Sequence, residues 1–323
     1  MGDSNSLPQG PLTTIMLLWM QGIAETIGGE TVDLGKLGVW CFTDTLTPAQ
    51  LTELAQRTEQ LGYGTLWYVE AFGYESLCLG SFLLNQTETM IIAAGIANIY
   101  ARDATAAKQG QHSLAKFSGG RFLLGLGVSH APLVEDLRGH SSGKPLSTMR
   151  AYLDAMEKAI AVAPALEEPP PTVLAALGPK MTELAAERTA GALSYNVTPE
   201  HTAQARELIG PDKWLCVEQK VLLVNDPTKA REVARQALAV YIPLPNYRNN
   251  WLRLGFSEAD LADGGSDRFL DAMVAWGDES AIKQRIQEHF DAGASHVCIQ
   301  ALDPEGRPVP DLNALATFAP EQR

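Results

Sequence analysis

Four short stretches concentrate the residue types that could do chemistry. MIIAAGIANIYARD at 90–103 reads as a buried strand that carries Gly95 in its middle and ends in Asn98, Tyr100, Arg102 and Asp103. A glycine inside a strand marks a bulge or a close backbone approach, which a flat ligand can use. The Asn98 amide offers donors and an acceptor to the polar edge of such a ligand. LAALGPKM at 174–181 places Gly178, Pro179, Lys180 and Met181 between a strand and a helix. Unsatisfied N–H groups and the positive end of a helix dipole attract phosphate there, and Lys180 adds charge. An apolar wall, an amide and an anion site are what a planar, phosphate-bearing redox cofactor needs.

Two titratable residues stand at the ends of the second and fourth strand-like segments. Glu70 closes TLWYVE and is a candidate to orient substrate or exchange a proton. His130 closes GLGVSH and titrates near neutral pH, which suits proton transfer. Trp40, Phe72, Tyr74 and Tyr195 supply aromatic pocket surface, and His140 in GHSSGK is placed to contact substrate or close the pocket. His112 and His289 read as structural or solvent-facing. No HExxH, GxSxG or Walker loop occurs, so no catalytic metal, hydrolase or kinase signature is present.

Those positions must be held by a regular framework. Strand-like segments at 37–42, 65–70, 90–98, 121–127, 172–178, 192–196, 214–224 and 296–302 are separated by helical periodicity at 47–62, 76–86, 104–120, 148–163, 179–191, 199–210, 226–241 and 279–293. Strands alternating with helices pair in parallel. Eight such units predict a single (β/α)8 TIM barrel over 35–323, whose site lies at the C-terminal strand ends. An open doubly wound sheet is disfavoured, because GxGxxG is missing after the first strand. The segment 242–275 reads as an insert, irregular over 242–265 and helical from 267 to 276. Residues 1–34 read as an N-terminal arm or extra helix.

The balance of 25 Lys and Arg against 38 Asp and Glu gives a formal charge of -13, which repels nucleic acid and anionic lipid. IMLLWM at 15–20 is too short to span a bilayer, and no Lys or Arg precedes it. The four cysteines form no CxxC and read as buried thiols of a reduced compartment, so a cytoplasmic location is expected.

The chain resembles the bacterial luciferase-like superfamily of flavin and deazaflavin oxidoreductases, and most closely its coenzyme F420 branch. The resemblance covers about residues 35–303. It is carried by GYGTLWYVEAFGYES at 62–76, TMIIAAGIANIYARDATAAKQGQHSLAKFSGGRFLLGLGVSH at 89–130, LAALGPKMTELAAERTAGALSY at 174–195 and WGDESAIKQRIQEHFDAGASHVCIQ at 276–300. It implies hydride transfer between coenzyme F420 and a small organic substrate, with FMN-dependent monooxygenation or a non-catalytic cofactor-binding barrel as alternatives. It further implies a strand bulge, often with a cis peptide, at Gly95–Ile96 behind the ring, a phosphate loop at 178–181 and a homodimer. Some deazaflavin relatives carry a histidine after the acidic residue; Ala71 stands there, which argues against their sugar-phosphate chemistry.

Overall fold

The computed structural model describes residues 32–160 and 168–321. The expected N-terminal arm therefore lies outside the described residues except for its last three. The strands are β1 (Leu37–Cys41), β2 (Thr65–Tyr68), β3 (Ile91–Ala94), β4 (Ala97–Asn98), β5 (Phe122–Gly127), β6 (Thr172–Ala175), β7 (Gly191–Ser194), β8 (Trp214–Leu222), β9 (Val274–Trp276) and β10 (His296–Ala301). Every ladder between them is parallel, and β8 pairs with β10, which pairs with β1, so the sheet closes. β3 and β4 occupy one position in the ring and β9 pairs only with the end of β8, which leaves an eight-position barrel as expected.

Local sequence explains the elements. α1 (Pro48–Gln60) starts on a capping box between Thr47 and Gln50, with Pro48 in the first turn where its missing N–H costs nothing. The strands are buried on both faces, so they read as continuous apolar runs. Along β5, Phe122, Leu124 and Leu126 pack outward under the helices. Leu123 faces inward and meets the inner cluster of Trp40, Trp67, Ala93, Val173, Leu193, Cys216 and Cys298. By the same alternation Gly125 and Gly127 face the inside of the barrel near its mouth. Cys41, Cys216 and Cys298 are buried as expected, but Cys78 is exposed.

The insert is more ordered than its prolines suggested, and it packs against the preceding barrel helix. α7 (Pro227–Leu238), α8 (Pro245–Arg253), α9 (Glu258–Leu261) and α10 (Asp267–Met273) share one hydrophobic cluster that includes Ala230, Val233, Trp251, Phe269 and Leu270. Pro245 opens α8 instead of breaking the chain, and the helix expected at 267–276 ends at Met273 to become β9. The outer barrel helix of this unit is α11 (Glu279–Asp291), which packs on β8 and β10. The helix expected at 148–163 runs from Pro145 to Lys158, because Pro145 supplies its first turn.

The floor of the barrel holds a neutral imidazole. The Trp67 Nε1–H donates to Nε2 of His296 (3.0 Å), and the His296 Nδ1–H donates to the carbonyl of Gly35 (2.8 Å). A second proton would set Nε2–H against the indole N–H. Burial of His296 pushes its pKa down to about 4, and burial of His289 pushes its pKa to about 3. In the unfolded chain both protonate near 6.5. Stability carried by the neutral rings is therefore complete above pH ~6.5 and declines as pH falls toward 4, where the unfolded state binds more protons. Chemical denaturation at pH 7 and pH 5 should show a loss of about 2 kcal/mol for each ring. The pH slope of a His296→Gln variant should be shallower by one proton.

Candidate functional site

The mouth is organised by a mismatch between neighbouring strands. Ala93 lies opposite Leu123 and Ala97 opposite Leu126, so four residues of one chain segment span three of the other. That extra residue is a bulge, and the Gly95–Ile96 peptide within it is cis. Its neighbours make room. A Cβ on Gly125 would stand 2.1 Å from the carbonyl oxygen of Ala94, and one on Gly127 would stand 2.6 Å from Cγ1 of Ile96. On Gly95 it would meet Nε1 of Trp40 at 3.0 Å and Cε3 of Trp67 at 3.1 Å. The glycines of GLGVSH thus provide space for the bulge. The Trp40 indole N–H donates to the Gly95 carbonyl at 3.0 Å and fixes the kink from inside.

Glu70 fixes it from the other side. Its Oε2 accepts from the backbone N–H of Asn98 (2.7 Å) and from Nη1 of Arg102 (3.1 Å). Its Oε1 accepts from the N–H of Ser76 (3.2 Å) and from Nη2 of Arg102. The Glu70 backbone N–H also reaches the Ile96 carbonyl at 3.3 Å. Arg102 makes a second ion pair with Glu75, and the side chains of Glu70 and Arg102 are 3% and 8% exposed. Both oxygens of this carboxylate are thus engaged by four donors and almost fully buried, which points to a role in holding the bulge. Removing one partner of such a buried pair leaves the other charge uncompensated.

The second half of the site is the head of α5 (Pro179–Arg188). Gly178 is its N-cap, with φ -94°, ψ 152° and no side-chain cap, so the first-turn N–H groups have no side-chain acceptor. That backbone conformation suits any residue. A Cβ there would have one neighbour within 4 Å, Nη2 of Arg253 at 3.8 Å. Nothing in the protein's own packing requires a glycine, and the free space lies on the anion-attracting end of a ten-residue helix. Lys180 is exposed, and Met181 packs against the main core. The nearer cation is Arg253, whose Nη2 donates to Oδ1 of Asn250 (2.8 Å) and the carbonyl of Leu177 (3.3 Å). Asn250 is buried, and its Nδ2 has no partner.

Between these halves the remaining expected residues separate. Asn98 gives its Oδ1 to the N–H of Tyr100 (2.9 Å), so its Nδ2 is what remains for a ligand. His130 donates from Nδ1 to Oδ1 of Asn246 (3.1 Å), which leaves Nε2 as an acceptor. Burial lowers its pKa and the Asn246 contact opposes that, so the ring is neutral at pH 7. Tyr195 packs on Trp40 with ring centroids 4.7 Å apart, and its hydroxyl meets those of Tyr241 (2.9 Å) and Oε1 of Gln300 (2.9 Å). Phe72 is exposed, Tyr74 spends its hydroxyl on the Leu46 carbonyl (2.7 Å), and His140 is exposed near Tyr100. Phe72 and His140 are thus open to solvent, and Tyr74 is turned to Leu46.

A buried ion pair faces the same interior. Nζ of Lys220 lies 3.2 Å from Oε1 of Glu218 and 4.0 Å from the Tyr195 ring centroid, with both charged side chains 1% exposed. Burial pushes the lysine down and the carboxyl up, while their mutual attraction opposes both shifts. Glu and Lys two apart in an otherwise apolar strand share one face, which is the signal that places both inside. Asn246, Tyr241 and Arg253 carried no such signal, because only the folded insert brings them to the mouth. No cluster of metal-ligating side chains occurs among the described residues, and no helix among them is long and apolar enough to cross a membrane.

A family model described as luciferase-like monooxygenase matches residues 32–296. The chain belongs to that family. A Mycobacterium tuberculosis protein provisionally named a coenzyme F420-dependent oxidoreductase is 24% identical over 249 residues, covering 64% of this chain and 71% of that one. Among solved structures, an F420-dependent secondary alcohol dehydrogenase holding an F420–acetone adduct aligns with TM-score 0.69 at 14% identity, over 88% of this chain and 96% of the other. The oxygenating constituent of 3,6-diketocamphane monooxygenase from Pseudomonas putida, in complex with FMN, aligns with TM-score 0.67 at 14% identity, over 89% and 97%. At those identities the two structures show a shared fold.

Two substitutions test the support of the bulge. Glu70→Gln should cost about 2–4 kcal/mol in denaturant unfolding, because it strands Arg102. A catalytic carboxylate would instead lose turnover with stability intact. Gly125→Ala should cost about 2 kcal/mol or more through overpacking against the Ala94 carbonyl, read as a lowered melting temperature.

Proposed function

We propose that this protein is an oxidoreductase that transfers a hydride between coenzyme F420 and a small organic substrate. The observation that carries the reading is Gly178: an unforced glycine at an uncapped helix head, faced by Arg253, on the same mouth as the Gly95–Ile96 bulge. When bound, the deazaflavin supplies a hydride donor or acceptor. Gly95 and Ile96 would back its ring, and the Nδ2 of Asn98 would meet its polar edge. Gly178 and Lys180 would hold the phosphate through backbone N–H groups, flanked by Met181, whose N–H donates to the Gly178 carbonyl (3.1 Å), with Pro179 setting the helix start and Arg253 adding charge. Nε2 of His130, left as an acceptor by the Asn246 contact, would take or return a proton at the substrate. Trp40 and Tyr195 form the aromatic wall of the pocket. The M. tuberculosis relative and the alcohol dehydrogenase support F420 by name.

A flavin reading has support of its own, from the family description and the FMN-bound monooxygenase neighbour. The donors at Gly178 suit either phosphate, so the choice falls on the ring. Fluorescence titration of the apoprotein with F420 and with FMN decides it: saturable F420 binding with weak FMN binding is expected, and the reverse preference would establish the flavin enzyme. Gly178→Val should weaken cofactor binding by about tenfold or more while leaving the melting temperature unchanged, because its side chain enters space the protein does not use.

A further inference from the structure

Beside the bulge, a cavity of about 300 Å³ opens between the ends of β1 and β10, α7 and the loop 303–310. That volume is at the small end of ligand sites. Trp40 is the wall it shares with the site described above: the residue lines the cavity and its indole donates to Gly95. Its polarity is divided. On one side stand Tyr241 and Gln300, joined through the hydroxyl of Tyr195, which packs on Trp40. The far walls are Val233, Ala237, Val240 and Val309. Val240 is 64% exposed, an apolar side chain left at the rim. The charged groups in the lining are Asp303 and Arg307, and these neutralise each other through a two-point contact, Nε at 3.0 Å and Nη2 at 2.6 Å. Among the described residues the cavity thus offers an anionic substrate no unpaired cation.

We propose that this cavity selects the substrate, taking an uncharged molecule with one oxygen function toward Tyr241 and Gln300 and a hydrocarbon body against Val233, Ala237 and Val240. The inference deepens the hydride-transfer reading and rests on it for the word substrate; the binding preference itself stands on the cavity. Burial of each methylene contributes about a fourfold gain in affinity, from ~0.8 kcal/mol per CH₂.

The experiment is calorimetric titration of the F420-loaded protein with 2-propanone, 2-pentanone and 2-heptanone, and with glucose 6-phosphate. Affinity should rise about fourfold per methylene through the series, with no saturable binding of the sugar phosphate. Ala237→Phe should abolish the chain-length gain while the cofactor titration of the same variant stays at the wild-type value. Val240→Glu, at an exposed position the fold tolerates, should weaken 2-heptanone most and serves if the first variant does not fold. Chain-length-independent affinity, a gain that survives both substitutions, or preferred binding of glucose 6-phosphate each overturns the proposal. If the wild-type protein binds no F420, the cofactor reading fails separately. The same ketone series on the apoprotein then still reports whether the cavity takes apolar chains.

Discussion

One residue too many on the third barrel position is the constraint around which this mouth is built. A parallel ladder cannot absorb it without disturbing side-chain alternation. Here the disturbance puts Gly95 and Ile96 both on the inner side, and three independent features accept it: missing side chains at Gly125 and Gly127, an indole N–H from Trp40, and the Glu70 carboxylate bound to the N–H of Asn98. Steric space, an inner clamp and an outer clamp all act within residues 94–98 of one backbone. The ion pair with Arg102 therefore has its value in geometry. A buried pair of this kind adds little net stability against an apolar substitute, yet losing one member costs several kcal/mol.

The architecture was legible because barrel strands and helices announce themselves locally. Pro48, Pro179 and Pro199 each open a helix directly after a strand or turn, and the apolar runs are short enough to be strands. The insert was misread for the opposite reason. Pro243, Pro245 and the paired glycines look like loop punctuation, but Pro245 begins a helix whose stability comes from packing Trp251 against Phe269, with ring centroids 4.8 Å apart. That contact joins segments no local pattern connects.

The candidate site divides along the same line. Gly95, Gly178 and Trp40 could be found because each sits at a strand end and the barrel rule projects strand ends to the mouth. Glu70 obeyed that rule, yet its position is set by the strand while its partner is Arg102, 32 residues later, which the strand pattern does not reveal. Phe72 and Tyr74 lie past the strand end in a turn, where alternation no longer predicts direction. Arg253 lies 75 residues beyond Gly178 in sequence, so its approach to Leu177 could not be read from either segment.

The insert owes its place over the mouth to charges inside the barrel. The Asn196 N–H donates to Oε2 of Glu218 (3.1 Å) and its Oδ1 accepts from Lys220, which holds this non-glycine residue at φ 56°. Its carbonyl then accepts the indole N–H of Trp251 at 3.0 Å, the central residue of the insert's own core. Trp251 shares a helix with Asn246, which orients His130, and with Asn250 and Arg253, which stand over the head of α5. The Glu218–Lys220 pair is thus tied through one asparagine to both His130 and the head of α5. An apolar pair in its place could fill the barrel as well, but it would offer Asn196 neither acceptor nor donor, and the element that completes the mouth would lose its anchor on the strands.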